Sequence, residues 1–306
     1  KNINVFVLHP YNKISNIQRK IMTTVGSNNI YNIAIRGTFD DCQKHVKEMF
    51  SENKFREKIN MSGVNSINWA RIVCQIVYYF YSYFKLKKEN ISFSVPTGNF
   101  GDIYAGYIAK KMGLPINKLI VATNENDILQ RVINTGEYKP DKVKPSISPS
   151  MDIQVASNFE RLLFYIVGQD DQKVSLLMKD LSKKGFFKLT QNQIQDIKKD
   201  FEAVKVNDKT TQLIIKNIND EFKFIIDPHT ATGIAAARKV KGLDNIIVLG
   251  TAHPFKFSDT VKKVTGKNVD APSYLKMDID KKEKFDIIGN SNSEVKNYIL
   301  SKVLWK

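Results

Sequence analysis

The sequence predicts an α/β fold built on mostly parallel sheets, and two observations carry this prediction. Short apolar runs typical of buried strands alternate along the 306 residues with longer runs of helical periodicity. A turn with two glycines, Gly98 and Gly101, joins one of these strand-like runs directly to a helical run. Ligands bind such folds at the carboxyl ends of the strands, so this turn is the first candidate site.

Six segments are predicted to be strands because they are short and rich in β-branched and other apolar residues. They are residues 3–8, 31–35, 91–95, 118–122, 222–226 and 245–249. Seven helical segments fall between them, as right-handed crossovers between parallel strands require. These are residues 16–24, 39–51, 67–86, 102–111, 127–134, 158–167 and 232–240.

Several helix starts carry capping signals. Thr38 is followed three residues later by Asp41, the spacing of a capping box. Asn65 and Ser66 take the positions expected of caps before residues 67–86, and Asp227 is suited to cap the last helix.

Composition excludes several classes of protein. The chain is 42% hydrophobic and 25% charged, and no apolar run reaches membrane-spanning length. Two cysteines and four scattered histidines predict neither a disulfide framework nor a metal site. The net charge of +16 comes from dispersed lysines without interleaved aromatic residues, which argues against a nucleic-acid partner. We expect a cytoplasmic protein.

The turn Gly98-Asn99-Phe100-Gly101-Asp102 predicts a phosphate site. Two glycines let the backbone turn tightly, and the free amides at the start of the next helix favour an anion. The alternative is a tight turn without a ligand, because Gly-x-x-Gly alone is a weak signal.

Asn65, Ser66 and Arg71, at the start of residues 67–86, form a second candidate anion site. The arginine fork suits a phosphate because it donates two parallel hydrogen bonds. An ordinary cap with a surface arginine explains the same residues.

The loop after residues 245–249 is the third candidate. Its Thr251 hydroxyl is placed to hydrogen-bond a buried heterocycle nitrogen, whereas His253 and Lys256 are either catalytic or structural. The spacing supports no Ser/His/Asp triad, and no pair of carboxylates stands out.

Taken together, eight segments resemble threonine synthases, pyridoxal-phosphate enzymes of the tryptophan-synthase-β fold type (fold type II), in their longer fungal and enterobacterial branch. The segments lie in the family's order and span most of the chain. They are Lys13-Ile14-Ser15, Met22-Thr23-Thr24, Gly37-Thr38-Phe39-Asp40-Asp41-Cys42-Gln43, Asn65-Ser66-Ile67-Asn68-Trp69-Ala70-Arg71, Val95-Pro96-Thr97-Gly98-Asn99-Phe100-Gly101-Asp102, Ala122-Thr123-Asn124-Glu125-Asn126-Asp127, Ser148-Pro149-Ser150-Met151-Asp152-Ile153 and Gly250-Thr251-Ala252-His253-Pro254.

The resemblance implies roles for the three candidate sites. Residues Gly98, Asn99, Phe100, Gly101 and Asp102 match the loop that holds the phosphate of pyridoxal 5'-phosphate, and Thr251 matches the hydroxyl that faces its pyridine nitrogen. A neutral partner there leaves that nitrogen unprotonated and tunes the electron sink. The substrate's own phosphate is expected to bind Asn65, Ser66 and Arg71.

The reaction implied is a carbon–oxygen lyase step that converts O-phospho-L-homoserine and water to L-threonine and phosphate, in threonine biosynthesis. Two alternatives stay open. One is a related phospho-lyase that releases 2-oxobutyrate, and the other is a non-catalytic module that binds a phosphate ligand.

The resemblance also predicts two parallel-sheet, three-layer subdomains. Residues 1–64 are expected to be the remainder of the small one, and residues 65–306 the large one with a helical insertion near 169–219. The family's Schiff-base lysine is expected upstream of Lys1, so we expect no catalytic residue in this chain and an inactive fragment. A monomer or homodimer is expected.

Overall fold

The computed structural model of the chain describes residues 3–14, 16–65, 68–276 and 279–303. Contacts divide the chain into two compact units: unit 1 comprises Lys1–Gly63 and Asp270–Lys306, and unit 2 comprises Val64–Val269. Among the described residues, no helix combines the length and apolarity that a membrane crossing requires. The sequence predicted residues 270–306 to be part of the large subdomain, whereas their contacts place them in unit 1. Identifying the two units with the family's subdomains stays a prediction.

The strands alternate with helices along much of the chain, as predicted. The strands are β1 (Val5–Pro10), β2 (Ile30–Ile35), β3 (Ile91–Pro96), β4 (Ile116–Thr123), β5 (Glu137–Tyr138), β6 (Phe187–Lys188), β7 (Phe201–Lys205), β8 (Asn245–Val248) and β9 (Asp286–Ile288). The helices are α1 (Asn16–Thr23), α2 (Phe39–Ser51), α3 (Asn53–Lys58), α4 (Trp69–Leu86), α5 (Gly101–Lys111), α6 (Ile128–Thr135), α7 (Phe159–Ile166), α8 (Asp171–Lys184), α9 (Gln191–Asp200), α10 (Asp208–Phe222), α11 (Pro228–Lys239), α12 (Ser258–Thr265), α13 (Ser273–Lys276) and α14 (Asn292–Lys302).

Unit 1 is built on a parallel sheet in the order β1-β2-β9. The buried side chains of Ile33 and Ile35 in β2 pack into one core with Met49 of α2 and Val295 and Ile299 of α14. The predicted capping box at the start of α2 is confirmed, since the Thr38 hydroxyl accepts from the Asp41 amide and the Asp41 carboxylate accepts from the Thr38 amide.

Unit 2 is built on a parallel sheet in the order β7-β4-β3-β8, with helices on both faces. Alternate residues of β4 point to opposite faces, as in any strand. Leu119 and Val121 join the core with α4 and α5, whereas Ile120 and Ala122 join the core with α10 and α11. The three-layer α/β architecture is therefore confirmed for this unit.

Helix α11 approaches β3 closely at Gly233. A Cβ added there would meet Val248 at 2.8 Å and Pro96 at 3.2 Å, and the Ser94 hydroxyl donates to the Gly233 carbonyl oxygen at 2.7 Å. This contact places the first turn of α11 beside the carboxyl end of β3.

Three predicted boundaries or elements were wrong. Residues 222–226 form no strand: α10 continues to Phe222, Lys223 takes a left-handed conformation, and loop residues follow. Helix α11 begins at Pro228, four residues earlier than predicted, because Asp227 caps it and proline suits a first turn. Helix α4 begins at Trp69 with Asn68 as its cap, so the cap predicted at Asn65 is wrong, and Ser66 lies outside the described residues.

Residues 169–219 are not purely helical. Their strand β7 lies at the edge of the sheet and pairs with β4 over residues Phe201 to Lys205. The polar, lysine-rich composition predicted helices alone, and it concealed an edge strand whose buried residue Phe201 anchors it in the core.

Candidate functional site

A cleft of about 250 Å³ lies in unit 2 at the carboxyl end of β3. Five segments line it: the loop 97–102, the first turns of α4, the turn at Ser150 and Met151, His229 of α11, and the loop 251–256. The glycine loop and the loop after β8, which were predicted as separate sites, thus contribute to one cleft. Arg71 of the other predicted site lines the same cleft.

A larger concavity of about 710 Å³ lies in unit 1, but its lining comes from α2 and from Glu52, which directly follows that helix. Its side chains are charged or polar, exposed, and all within the continuous segment from Gln43 to Glu52. We therefore place the candidate site in the cleft of unit 2.

The loop 97–102 has the geometry of an anion site. Phe100 adopts a left-handed conformation (φ 65°, ψ 5°), and α5 begins at Gly101. Among the described residues, no acceptor receives a hydrogen bond from the amides of Asn99, Phe100, Gly101 or Asp102. Left-handed and right-handed residues in succession make neighbouring amides converge, and the helix dipole adds to their positive potential.

Packing of the Phe100 side chain into the hydrophobic core holds the loop in place. The side chain of Phe100 is 1% exposed and contacts the rings of Phe159 and Phe201, with centroid distances of 5.3 and 5.7 Å. The carbonyl oxygen of Asn99 accepts from the backbone amide and from the side-chain amide of Asn158, both at 3.1 Å. These contacts hold an uncommon non-glycine conformation in place.

Gly98 is required by a close backbone contact. A Cβ at this position would meet the carbonyl oxygen of Ser150 at 2.6 Å and the Cα of Met151 at 3.3 Å. Neither atom is at the end of a flexible side chain, so the turn at Ser150 and the glycine loop form one closely packed pair.

Asp102 lies at the start of α5, and its carboxylate is paired with Tyr79. Burial raises the pKa of Asp102 to about 6, although the hydrogen bond from Tyr79 opposes this shift. Burial also raises the pKa of Tyr79 well above its ordinary value. Asp102 was predicted from the sequence, whereas Tyr79, which lies on a different helix, was not.

Arg71 is the one member of the second predicted site that lines the cleft among the described residues. It is exposed, and its Nη1 donates to the Val64 carbonyl oxygen at 3.2 Å. Asn65 is exposed and is not among the lining residues, and Ser66 lies outside the described residues. Gln75, one turn beyond Arg71, lines the cleft and was missed.

Thr251 lines the cleft just beyond β8, as its predicted role requires. Lys256 lines it too, and burial lowers the pKa of its amine while the carboxylate of Asp227 opposes the shift. His253 has a structural contact, because its Nδ1 accepts from the Phe255 amide at 3.2 Å at the start of a short 3-10 helix.

His229 joins two parts of the site. Its Nδ1 lies 3.1 Å from Oδ1 of Asp227, and its Nε2 lies 3.2 Å from the backbone nitrogen of Ser150. Asp227 also caps α11 by accepting from the amides of His229 and Thr230, at 2.8 and 3.3 Å. The sequence identified Asp227 as a cap, but no spacing pointed to the contact between His229 and Ser150.

Comparison with known proteins places these features in a family. Residues 230–299 match the family model described as threonine synthase, C-terminal. The threonine synthase of Pseudomonas aeruginosa is 42% identical over 303 residues, which are 97% of this chain and 65% of that protein. That of Saccharomyces cerevisiae is 44% identical over 284 residues, covering 85% of this chain and 55% of the relative. The chain thus spans less than two thirds of the length of these relatives.

Solved structures agree with the sequence comparison. A threonine synthase from Brucella melitensis with bound PLP has a TM-score of 0.93 and 42% identity, covering 99% of this chain and 66% of that one. The yeast enzyme has a TM-score of 0.89. Serine racemase from Dictyostelium discoideum, 14% identical with a TM-score of 0.52, shares the fold alone. The predicted fold type II architecture is confirmed, and the chain belongs to the threonine synthase family.

Proposed function

We propose that this chain supplies the phosphate-binding part of a threonine synthase, which converts O-phospho-L-homoserine and water to L-threonine and phosphate. The observation that carries the proposal is that the amides of Asn99, Phe100, Gly101 and Asp102, at the start of α5 and inside the cleft, have no acceptor in the described part of the chain. Such amides favour a dianionic phosphate. Membership of the family supports the choice of substrate.

The residues present fit pyridoxal 5'-phosphate as the cofactor. The loop Gly98 to Asp102 is the proposed holder of its phosphate, and Thr251 is the proposed partner of its ring nitrogen. When bound, the cofactor supplies the electron sink for carbanion chemistry. The protein positions the cofactor and the substrate, and each charge-assisted hydrogen bond from the loop contributes about 1.5–3 kcal/mol.

Arg71 is the proposed ligand of the substrate's phosphate, with Asn65 and Ser66 of the same segment. Arg71 lies in the first turn of α4, where the helix dipole and the guanidinium act on an anion together. The chain's net charge of +16 favours the approach of the cofactor and the substrate, because each carries one phosphate.

Product analysis tests the proposal. The full-length protein, expressed from the complete natural reading frame, is incubated with pyridoxal phosphate and O-phospho-L-homoserine, and phosphate, threonine and 2-oxobutyrate are followed together. We expect threonine and phosphate in equal amounts. Phosphate with 2-oxobutyrate identifies the alternative phospho-lyase. Absence of turnover with retained cofactor binding favours the non-catalytic module, and both results contradict the proposal.

Cellular setting and assembly belong to the same proposal. We place the enzyme in the cytoplasm, in threonine biosynthesis, and as a monomer or homodimer. Cell fractionation tests the location, growth of a gene-disrupted strain with and without threonine tests the pathway, and light scattering of the full-length protein tests the assembly.

A further inference from the structure

Both ring nitrogens of His229 are engaged by fixed partners. The ring is 3% exposed, and Nε2 accepts from the Ser150 amide at 3.2 Å. A backbone amide is always a donor, so Nε2 carries no proton and the proton of the neutral ring is on Nδ1. Nδ1 then donates to Oδ1 of Asp227 at 3.1 Å. His229 therefore has no free nitrogen with which to move a proton in the cleft.

Asp227, which orients the His229 ring, is itself held in place by hydrogen bonds at the start of α11. Its carboxylate is 1% exposed, and it accepts from the His229 and Thr230 amides as the cap of α11. Burial by itself would raise the pKa of Asp227, but hydrogen bonds from His229 and Thr230 outweigh it and leave the pKa below its usual value. The ring also packs against Phe257, with centroids 4.7 Å apart.

The group that His229 holds is the turn that contacts the glycine loop. The Ser150 amide is bound by the ring, and the Ser150 carbonyl oxygen lies where a Cβ of residue 98 would come within 2.6 Å. The other side of this turn is held by Asp152, whose Oδ1 accepts from Asn124 at 2.7 Å and whose Oδ2 accepts from the Ser146 amide at 2.9 Å. The turn is thus fixed at both ends.

We infer that His229 is a positioning residue for the cofactor's phosphate: by binding the Ser150 amide it keeps the turn against Gly98, and so keeps the amides of the loop 98–102 aligned. The inference rests on the proposed function, because it assigns a role toward the phosphate that the loop is proposed to hold. The role is one of alignment, and His229 itself touches neither the phosphate nor the reacting atoms.

The test compares two ligands that differ only in the phosphate. Dissociation constants of the full-length protein for pyridoxal phosphate and for pyridoxal are measured by absorbance. Their ratio, the constant for pyridoxal divided by the constant for pyridoxal phosphate, reports what the phosphate contributes to binding. His229→Phe keeps a ring beside Phe257 but removes the acceptor. We expect it to reduce the ratio about tenfold, the effect of one misaligned hydrogen bond on an equilibrium constant.

Two amide variants keep the inference testable if His229→Phe does not fold. The side-chain oxygen of glutamine reaches about as far as Nε2 and can accept from Ser150, whereas that of asparagine reaches only as far as Nδ1. We expect His229→Gln to keep the ratio within about threefold of the wild-type value and His229→Asn to reduce it about tenfold. Thr211→Val, a buried change between α10 and α11, is the control for a general loss of stability.

The outcomes separate the two proposals. A lower ratio in His229→Phe and His229→Asn, with the ratio kept in His229→Gln and Thr211→Val, supports the positioning role. Equal losses of affinity for both ligands, or a glutamine variant that behaves like the asparagine variant, overturn it. A wild-type protein that binds pyridoxal phosphate no better than pyridoxal contradicts the proposed function itself, because the loop then holds no phosphate.

Discussion

The hydroxyl of Tyr79 donates to the backbone oxygen of Asp102 at 2.8 Å and lies 3.3 Å from its Oδ1. This pair joins α4 to the first turn of α5, directly beneath the amides proposed to bind phosphate. A half-buried carboxylate that lines the cleft opposes an anion there. The raised pKa of Asp102, about 6, means that this charge is suppressed in mildly acidic solution and largely present at pH 7.

Asp102→Asn is expected to change the pH dependence of stability. A carboxyl whose pKa is higher in the folded state stabilises the fold when it is protonated, and this contribution is lost as the pH rises through about 6. The free energy of unfolding of the wild-type protein relative to Asp102→Asn should therefore fall by about 2 kcal/mol between pH 4.5 and 7. Urea unfolding of both proteins at several pH values measures this difference. A difference that is constant with pH contradicts the shifted pKa.

Asp227→Asn should show the opposite trend. The pKa of Asp227 is lowered in the folded protein, so its stabilising contribution is present above the usual carboxyl pKa and is lost as the pH falls through the lower folded value. Asparagine also caps helices well, so the variant separates the charge from the cap. We expect it to be less stable than the wild type at pH 7, with the gap closing as the pH falls below about 4. A gap that widens in acid would refute the direction of the shift.

Gly98→Ala should weaken cofactor binding more than it weakens the fold. Its Cβ would meet the Ser150 carbonyl oxygen at 2.6 Å, so either the loop or the turn must move. We expect the affinity for pyridoxal phosphate to fall at least tenfold, which corresponds to about 1.4 kcal/mol or more. Gly250→Ala is the matched control, because its Cβ would lie 3.7 Å from Oγ1 of Thr230, which is an ordinary van der Waals contact. Equal affinities of the two variants would argue against a close-packed loop.

Arg71→Ala should raise KM for O-phospho-L-homoserine in the full-length enzyme about tenfold or more, because a guanidinium–phosphate hydrogen bond contributes about 1.5–3 kcal/mol. Arg71→Lys keeps the charge without the planar fork, so its KM should lie between that of the wild type and that of Arg71→Ala. Arg238→Ala, an exposed arginine in the last turn of α11, is the control for lost positive charge. Unchanged steady-state kinetics in Arg71→Ala would remove this residue from the substrate site.

The part of the site that lies within one short segment was predictable from the sequence. The strand β3, the turn and α5 follow one another without interruption, so the two glycines and the strand-to-helix pattern placed Gly98 to Asp102 correctly at the carboxyl end of a strand. Tyr79 and His229 were missed as partners because they meet Asp102 and Ser150 across 23 and 79 residues of chain. Local periodicity contains no information on such pairs.

The errors in the fold have a similar origin. The apolar residues Phe222, Phe224 and Ile226 alternate as in a strand, yet Phe222 and Phe224 are more than half exposed and only Ile226 is buried. Alternation predicts a strand only where a neighbouring strand is available to pair with it, and sequence does not show that. Conversely, β7 was hidden within a polar segment because only its pairing with β4 makes it a strand.

Phe100 places two demands on one position. Its backbone has the left-handed φ of 65° that glycine adopts most easily, but its side chain fills the space between Phe159 and Phe201. Glycine would relieve the backbone and leave a cavity, whereas other large residues would fill the cavity and keep the strain. The amides above it are therefore held in their binding arrangement by the interior of the protein, before any ligand arrives. A phosphate entering such a rigid site loses little affinity to ordering the loop, so its association should be fast and limited by access to the cleft.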